Sequence, residues 1–265
     1  MKLDYGTQIG KSPIRLSIGT IRKPTLGVID DIGFDRFDYY KFMMKLTPEQ
    51  FHTVLNKDRG GETYWNSISD EKRQKMTMYD IILSDENIAK IYVDLFSFFF
   101  VETVVFKEEF FVIIKDDSAE DLFARENIVG VISSDTFQEV IEIIQQICLI
   151  YDDEEEDEPP PKFKNALAQK MYEKMKKAKP IKKKSDQNLI LPNLISAVCS
   201  RHPSINYSNV WELTVFQLVD MFNRMRLNSI YDIDSTRVSV WGDEKKTFDE
   251  SLWYKNEFDK KEDRS

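Results

Sequence analysis

Cysteine and histidine are scarce in this chain, with two of each in 265 residues. Cys148 and Cys199 both fall in apolar helical patterns, and neither a disulfide framework nor a zinc site can be built from two such positions. His52 and His202 lie far apart, and neither has a metal-ligand neighbour at helical spacing. We therefore expect a reducing environment, surface or capping roles for the histidines, no metal and no cofactor.

Long apolar runs are also missing. The longest, LFSFFFVETVVF, is interrupted by Glu102 and is too short to cross a bilayer. The residues after Met1, KLDYGTQIGKSP, contain no apolar segment typical of a signal peptide. We therefore expect no signal peptide, no membrane partner and a cytoplasmic protein.

The overall composition indicates a folded protein. A hydrophobic content of 42% and an aromatic content of 12% exclude global disorder. The net charge of −9 argues against a dedicated nucleic-acid-binding protein, whose affinity comes from neutralising phosphates. A local basic arm remains compatible with that net charge.

No catalytic constellation stands out. The DRGGET motif has two glycines but lacks the lysine and the strand–loop–helix context of a phosphate-binding loop. His202 follows Cys199 by one helical turn, and core packing explains such a cysteine better than a nucleophile–base pair does. No pair of carboxylates is distinguished by its position. We therefore expect a protein without catalytic residues, not an enzyme.

Residues 1–151 alternate strand and helix patterns, which predicts an α+β domain. Thr47 and Pro48 are typical of a helix start, and KDRGGETYWNSISDEKRQ is typical of an exposed loop. Two short strands flank a Lys-Glu-Glu turn. The helix TFQEVIEIIQQICLIY has apolar residues recurring at three and four positions, namely Phe137, Val140, Ile141, Ile144, Ile147 and Cys148.

The cluster Phe96, Phe98, Phe99 and Phe100 is unusually dense in phenylalanine. Two interpretations are open. The four rings form an exposed surface that binds a client protein, or they belong to the core of the first domain.

Residues 152–186 form a predicted linker of unusual charge. Seven acidic residues at 152–158 precede three prolines, and ten lysines follow between residues 162 and 184. Repulsion among the acids and the three prolines oppose a continuous helix. Within the lysine-rich part, apolar side chains recur every four residues and predict an amphipathic helix. The candidate partner-binding residues are Phe163, Leu167, Met171, Lys174, Met175, Lys176 and Lys177.

Three uses of this linker compete: a joint between two domains, a nucleic-acid arm, and a partner-binding segment that folds on contact. The lysines would suit phosphates, but this block lacks arginine and the adjacent acids would compete for it. The apolar stripe suits a helix laid into a groove on another protein. Nucleic acid is therefore the less favoured partner.

Residues 187–258 predict a small, mostly α-helical domain, and residues 259–265 a charged tail. Thr214 and Gln217 have the spacing of a capping box at the start of a helix. The helix pair superficially resembles a helix-turn-helix, but its second helix has no basic stripe for base edges. The predicted core of this domain comprises Trp211, Leu218, Phe222, Trp241 and Trp253.

The carboxy-terminal segments NVWELTVFQLVDMFNRM and VSVWGDEKKTFDESLWYKN resemble the second domain of tail assembly chaperones from phages and prophages of Gram-positive bacteria. The matching features are the Trp211–Leu218 stretch, Trp241-Gly242, Phe248-Asp249 and Trp253–Asn256. The helix ending near Tyr151 is more loosely similar to the last helix of the family's amino-terminal unit.

This resemblance implies a non-enzymatic assembly factor of the host cytoplasm. It would bind the tape measure protein through residues 1–151 and recruit tail tube subunits during tail morphogenesis, and a homo-oligomer is compatible with this role. Two alternatives stay open from the residues alone: a nucleic-acid-binding regulator that uses the lysine-rich arm, and a structural virion component of the baseplate or connector.

Overall fold

The computed structural model describes residues 1–150, 189–244 and 246–255. Helices and two small antiparallel sheets confirm the predicted α+β class. The helices of the amino-terminal part are α1 (Tyr5–Ile9), α2 (Leu26–Ile32), α3 (Phe34–Lys45), α4 (Pro48–Gln50), α5 (Gly61–Ser67), α6 (Asp70–Lys75), α7 (Met78–Ser84), α8 (Glu86–Phe99) and α9 (Ser134–Ile147). The carboxy-terminal part contains α10 (Leu191–Arg201) and α11 (Val215–Trp241). The strands are β1 (Ile14–Leu16), β2 (Gly19–Ile21), β3 (Thr103–Lys107), β4 (Phe110–Ile114) and β5 (Ile128–Ile132).

A β-hairpin lies between α1 and α2. β1 and β2 pair antiparallel, with Ile14 opposite Ile21. The backbone N–H of Val101 donates to the carbonyl of Thr20 at 2.9 Å, so the residues after α8 extend this pairing. The hairpin is thereby fixed to the end of α8.

Helix α4 begins as its sequence predicts. Thr47 is the N-cap, Pro48 takes the first helical position, and a capping box joins Thr47 to Gln50. The chain then continues through a π-helical turn (Phe51–Leu55), and π-helical turns occur often at functional sites.

The prediction of an exposed loop at residues 57–74 is wrong. A 3-10 turn (Lys57–Arg59) is followed there by α5 and α6. Gly60 takes a left-handed conformation with φ of 80°, which ends the turn rather than opening a loop. Trp65 is only 8% exposed, and the burial of its large side chain stabilises a helix in a segment whose polar composition is typical of loops.

The larger sheet is a meander in which β3, β4 and β5 follow chain order. Val104 pairs with Ile113, and Phe111 pairs with Ile132. Glu108, with φ of 58°, lies in the tight turn between β3 and β4, as the Lys-Glu-Glu motif predicts. Helix α8 contacts β3 and α9 contacts β5, so the sheet and these helices enclose the core.

The four phenylalanines after Leu95 belong to this core. Phe96, Phe99 and Phe100 have no exposed surface, and Phe98 is partly buried against the same cluster. The core interpretation is therefore confirmed, and the interpretation as an exposed client-binding surface is wrong. The physical reason is that the residues at the end of α8 pair with the β1–β2 hairpin, while Phe96 packs against Phe111 of the three-stranded sheet.

The carboxy-terminal part is mostly helical, as predicted. Pro192 lies in the first turn of α10, and the capping box of Thr214 and Gln217 starts α11. Helix α11 has 27 residues and is therefore about 40 Å long.

Helix α11 and the turn before it contact the amino-terminal part. The backbone N–H of Leu26 donates to the carbonyl of Leu213 at 2.8 Å, and Gln217 donates to the carbonyl of Ile9 at 2.7 Å. The rings of Tyr5 and Phe216 are 5.9 Å apart. Buried residues of both parts thus share one hydrophobic cluster. The domain boundaries at 151, 186 and 258 stay a prediction.

Candidate protein-binding surface

The second half of α11 carries an exposed apolar stripe. Ile230 is 42% exposed, Ile233 69%, Val240 64% and Trp241 77%. An ideal helix turns about 100° per residue, so these four side chains lie within about 100° of one another around the axis. We call them the α11 stripe.

The first half of α11 is anchored, which explains how the second half holds its position. Val215, Phe216, Leu218 and Leu227 are buried, and α10 packs against the helix. Beyond Leu227 no residue of α11 is fully buried. The stripe is therefore presented by a helix whose base is fixed in the core.

The residues that follow α11 fold back along a different side of it. The ring of Phe248 lies 5.4 Å from that of Tyr231, and Arg224 donates to the carbonyl of Lys255 at 3.0 Å. Tyr231 is about 100° away from Ile230 around the helix. The returning segment therefore leaves the α11 stripe uncovered.

Two aspartates organise this returning segment. Asp243 accepts hydrogen bonds from the backbone of Phe248 and Thr247, which lower the pKa of its carboxyl. Hydrogen bonds from Ser251, together with one from Lys255, lower the pKa of Asp249 to about 2. Both carboxylates are therefore ionised at neutral pH and accept these bonds.

An exposed aromatic pair lies near the end of the described residues. Trp253 is 51% exposed and Tyr254 60% exposed, and their ring centroids are 5.1 Å apart. Large apolar side chains in water often mark surfaces that bind other proteins, and Tyr and Trp are enriched at such interfaces. The α11 stripe and this pair are the candidate protein-binding surface.

The structure corrects part of the predicted second-domain core. Leu218 is buried, and Trp211 and Phe222 are partly buried against the hydrophobic cluster. The prediction is wrong for Trp241 and Trp253, which are both more than half exposed. Trp241 ends α11 beyond its anchored half, and Trp253 lies on the outer part of the returning segment, so neither reaches the core.

The predicted partner-binding residues of the lysine-rich stripe, Phe163, Leu167, Met171, Lys174, Met175, Lys176 and Lys177, lie outside the described residues. Their role stays a prediction. Ile230, Ile233 and Val240 are not among the site residues predicted from the sequence. The signal was present, because apolar residues three and seven positions apart form one face of a helix.

Trp253→Ala should therefore change stability little. We expect the free energy of unfolding to change by less than about 0.5 kcal/mol, because the side chain is 51% exposed. Trp211→Ala is the comparison: its indole donates to the carbonyl of Tyr207 at 2.8 Å, and we expect a loss of about 2 kcal/mol. Urea unfolding of the full chain measures both; equal losses would contradict the corrected core.

The contacts of Cys148, Cys199 and His202 indicate structural roles for these residues. Burial raises the pKa of Cys148, and burial also raises that of Cys199, so both stay thiols at neutral pH. His202 accepts hydrogen bonds through Nδ1 from the backbone of Ser204 and Ile205 in the loop that follows α10. Within residues 1–150, 189–244 and 246–255, no group of three or more potential ligands is placed to hold a metal. No helix in these ranges is long and apolar enough to span a membrane.

The carboxy-terminal residues resemble a known family. Residues 181–257 match the family described as YomV second domain, which has a phage-associated name. This match indicates a phage-related protein and includes the whole candidate surface. Comparisons of the chain with curated proteins and with solved structures gave no match.

Proposed function

We propose that this chain is a non-enzymatic phage tail assembly chaperone. It binds the tape measure protein, recruits tail tube subunits during tail morphogenesis, and acts in the host cytoplasm. The resemblance of the segments around Trp211, Trp241 and Trp253 to that family supports the proposal. The phage-associated match at residues 181–257 covers the same segments and supports a phage-related role.

The observation that carries the proposal is the α11 stripe. It places Ile233 at 69% exposure and Trp241 at 77% exposure on a helix anchored in the core. A chaperone needs apolar surface that is accessible before its client arrives, and a rigid helix face lowers the entropy cost of binding. The expected occupant is an amphipathic helix of the long helical tape measure protein, packed side by side on α11.

The test is co-expression of the full chain with the tape measure protein of the same tail gene cluster. We expect the tape measure protein to become soluble and to co-elute in size-exclusion chromatography. Ile233→Glu should abolish co-elution, because it places a charge in the centre of the apolar contact. Val101→Glu is the matched control: Val101 is 54% exposed, lies in the amino-terminal part, and should not affect co-elution.

Two results would contradict the proposal. In the first, the tape measure protein stays insoluble and this protein elutes alone. In the second, the chain occurs at stoichiometric copy number in purified phage particles, which identifies it as a structural component. If co-elution is unaffected by Ile233→Glu, the chaperone function stands but its site is not the α11 stripe.

A further inference from the structure

A cleft of about 450 Å³ lies in the amino-terminal part, outside the residues that match the phage-associated family. One wall is built from the π-helical turn, the 3-10 turn and α5, and contributes His52, Arg59 and Tyr64. The other wall includes α7 and contributes Met76 and Ile81. The cleft thus combines aromatic, aliphatic and cationic side chains, and of these Arg59 and Tyr64 lie in the segment that the sequence predicts as a loop.

The aromatic wall is held in a fixed position. The ring of His52 is stacked on that of Trp65 at 5.6 Å and lies 5.0 Å from that of Tyr64. The guanidinium of Arg73 lies over the ring of Trp65, 5.8 Å from the ring centroid, and its Nε donates to the backbone carbonyl of Trp65 at 2.9 Å. A Cβ on Gly61 would come within 2.3 Å of the backbone oxygen of His52, so α5 packs directly against the π-helical turn.

The charged side chains of the cleft, Arg59 and Asp80, differ in whether they have partners. Asp80 is engaged in the capping box of α7, where its carboxylate accepts from the backbone N–H and the hydroxyl of Thr77, both at 2.8 Å. Burial lowers the pKa of His52, so its imidazole is neutral at pH 7. The guanidinium of Arg59 has no ion pair or hydrogen bond with any residue that the structure describes. Arg59 is therefore the side chain of the cleft that can pair with an anionic group of a ligand.

The elements around the cleft also expose apolar side chains. Val54 is 61% exposed, Leu55 40%, Tyr64 43% and Leu83 38%. They lie on the π-helical turn, α5 and α7, which form the walls. Of these four side chains, Tyr64 lines the cleft. Arg59 is exposed as well, so the cleft opens at the surface, and a peptide can place one side chain in it while its backbone stays outside.

We propose that this cleft binds a short acidic peptide of a partner protein, in which an aromatic side chain neighbours a carboxylate. The aromatic side chain packs between the His52–Tyr64 wall and Met76 and Ile81. The carboxylate pairs with Arg59, whose planar guanidinium suits two parallel hydrogen bonds. This inference concerns a second binding site, and it does not depend on the proposed tail assembly function.

The test is fluorescence anisotropy with the full chain and the labelled peptide Gly-Ser-Phe-Glu-Glu-Leu-Gly. We expect it to bind at least about tenfold more tightly than peptides with Lys-Lys in place of Glu-Glu, or with Ser in place of Phe. Arg59→Gln should weaken binding about tenfold. Lys57→Gln is the control: it removes the same charge from the same turn, but Lys57 lies outside the cleft and pairs with Glu62. We expect less than about a twofold effect.

Several outcomes would overturn this inference. They are absence of binding up to about 1 mM peptide, equal affinity for the three peptides, and equal effects of the two substitutions. Equal affinity for 3-phenylpropionate would instead assign the cleft to small aromatic acids and reject the peptide. Arg59 is exposed, so an unchanged thermal unfolding curve of Arg59→Gln shows that loss of binding is not loss of folding. Ile233→Glu should leave peptide binding unchanged, which separates this test from that of the tail function.

Discussion

Phe96→Ala is expected to lower the free energy of unfolding by about 3–5 kcal/mol. Phe96 has no exposed surface. Its ring lies 5.0 Å from that of Phe111, 5.9 Å from that of Tyr92 and 6.0 Å from that of Phe137. Truncation leaves a cavity between α8, the sheet and α9, and none of these elements can close it without losing its own contacts.

Urea unfolding followed by circular dichroism measures this loss. Phe110→Ala is the matched control, because Phe110 is 41% exposed on β4 and should cost about 1 kcal/mol or less. If the two substitutions cost the same, Phe96 is not part of a packed core. The outcome also bears on function, because a Phe96 that can be removed without cost would again be a candidate for contact with a client protein.

Gly130→Ala is expected to be nearly as destabilising, at about 3 kcal/mol, although it adds a single methyl group. A Cβ on Gly130 would come within 2.4 Å of the Cα of Ile18 and within 2.5 Å of its carbonyl oxygen. Both are backbone atoms, so a side-chain rotation cannot relieve the clash. The turn of the β1–β2 hairpin has to move away from β5, and the core beneath it opens.

Thermal unfolding of the full chain should show a lower midpoint for Gly130→Ala. Gly6→Ala is a control of the same chemistry: the nearest atom to its added Cβ is a carboxylate oxygen of Asp4 at 3.2 Å, which is farther away than the backbone atoms at Gly130 and belongs to a side chain. Alanine also has a higher helix propensity than glycine within α1. An unchanged midpoint for Gly130→Ala would mean that the hairpin does not lie against β5.

Because the phenylalanine cluster lies in the core, the candidate client-binding surface is the α11 stripe and not this cluster. The Phe96–Phe100 segment is not accessible to a partner protein, because Phe96, Phe99 and Phe100 have no exposed surface. The α11 stripe offers apolar side chains on the family-matched part instead. In the proposed chaperone function the client binds the carboxy-terminal helix, and the proposed peptide-binding cleft is a separate site.

The sequence by itself determined the elements whose signals are local. The six apolar positions of α9 from Phe137 to Cys148 are all buried, as their three- and four-residue spacing predicts. Thr47–Gln50 and Thr214–Gln217 form their capping boxes because these bonds join residues three positions apart. The β3–β4 hairpin follows from its turn. Such signals depend on neighbours along the chain, so the sequence contains them in full.

Only the tertiary structure decided which apolar residues reach the core and which remain at the surface. Trp241 and Trp253 have the composition of core residues, but they lie beyond the anchored half of α11 and stay exposed. Trp65 lies in a polar segment that the sequence predicts as a loop. Its burial stabilises helix α5, which forms part of one wall of the cleft. Gly130 has no room for a side chain because the backbone of Ile18, more than a hundred residues earlier in the chain, lies against it. Burial and close approach depend on residues far apart in the chain, and local sequence patterns do not specify which distant residues come into contact.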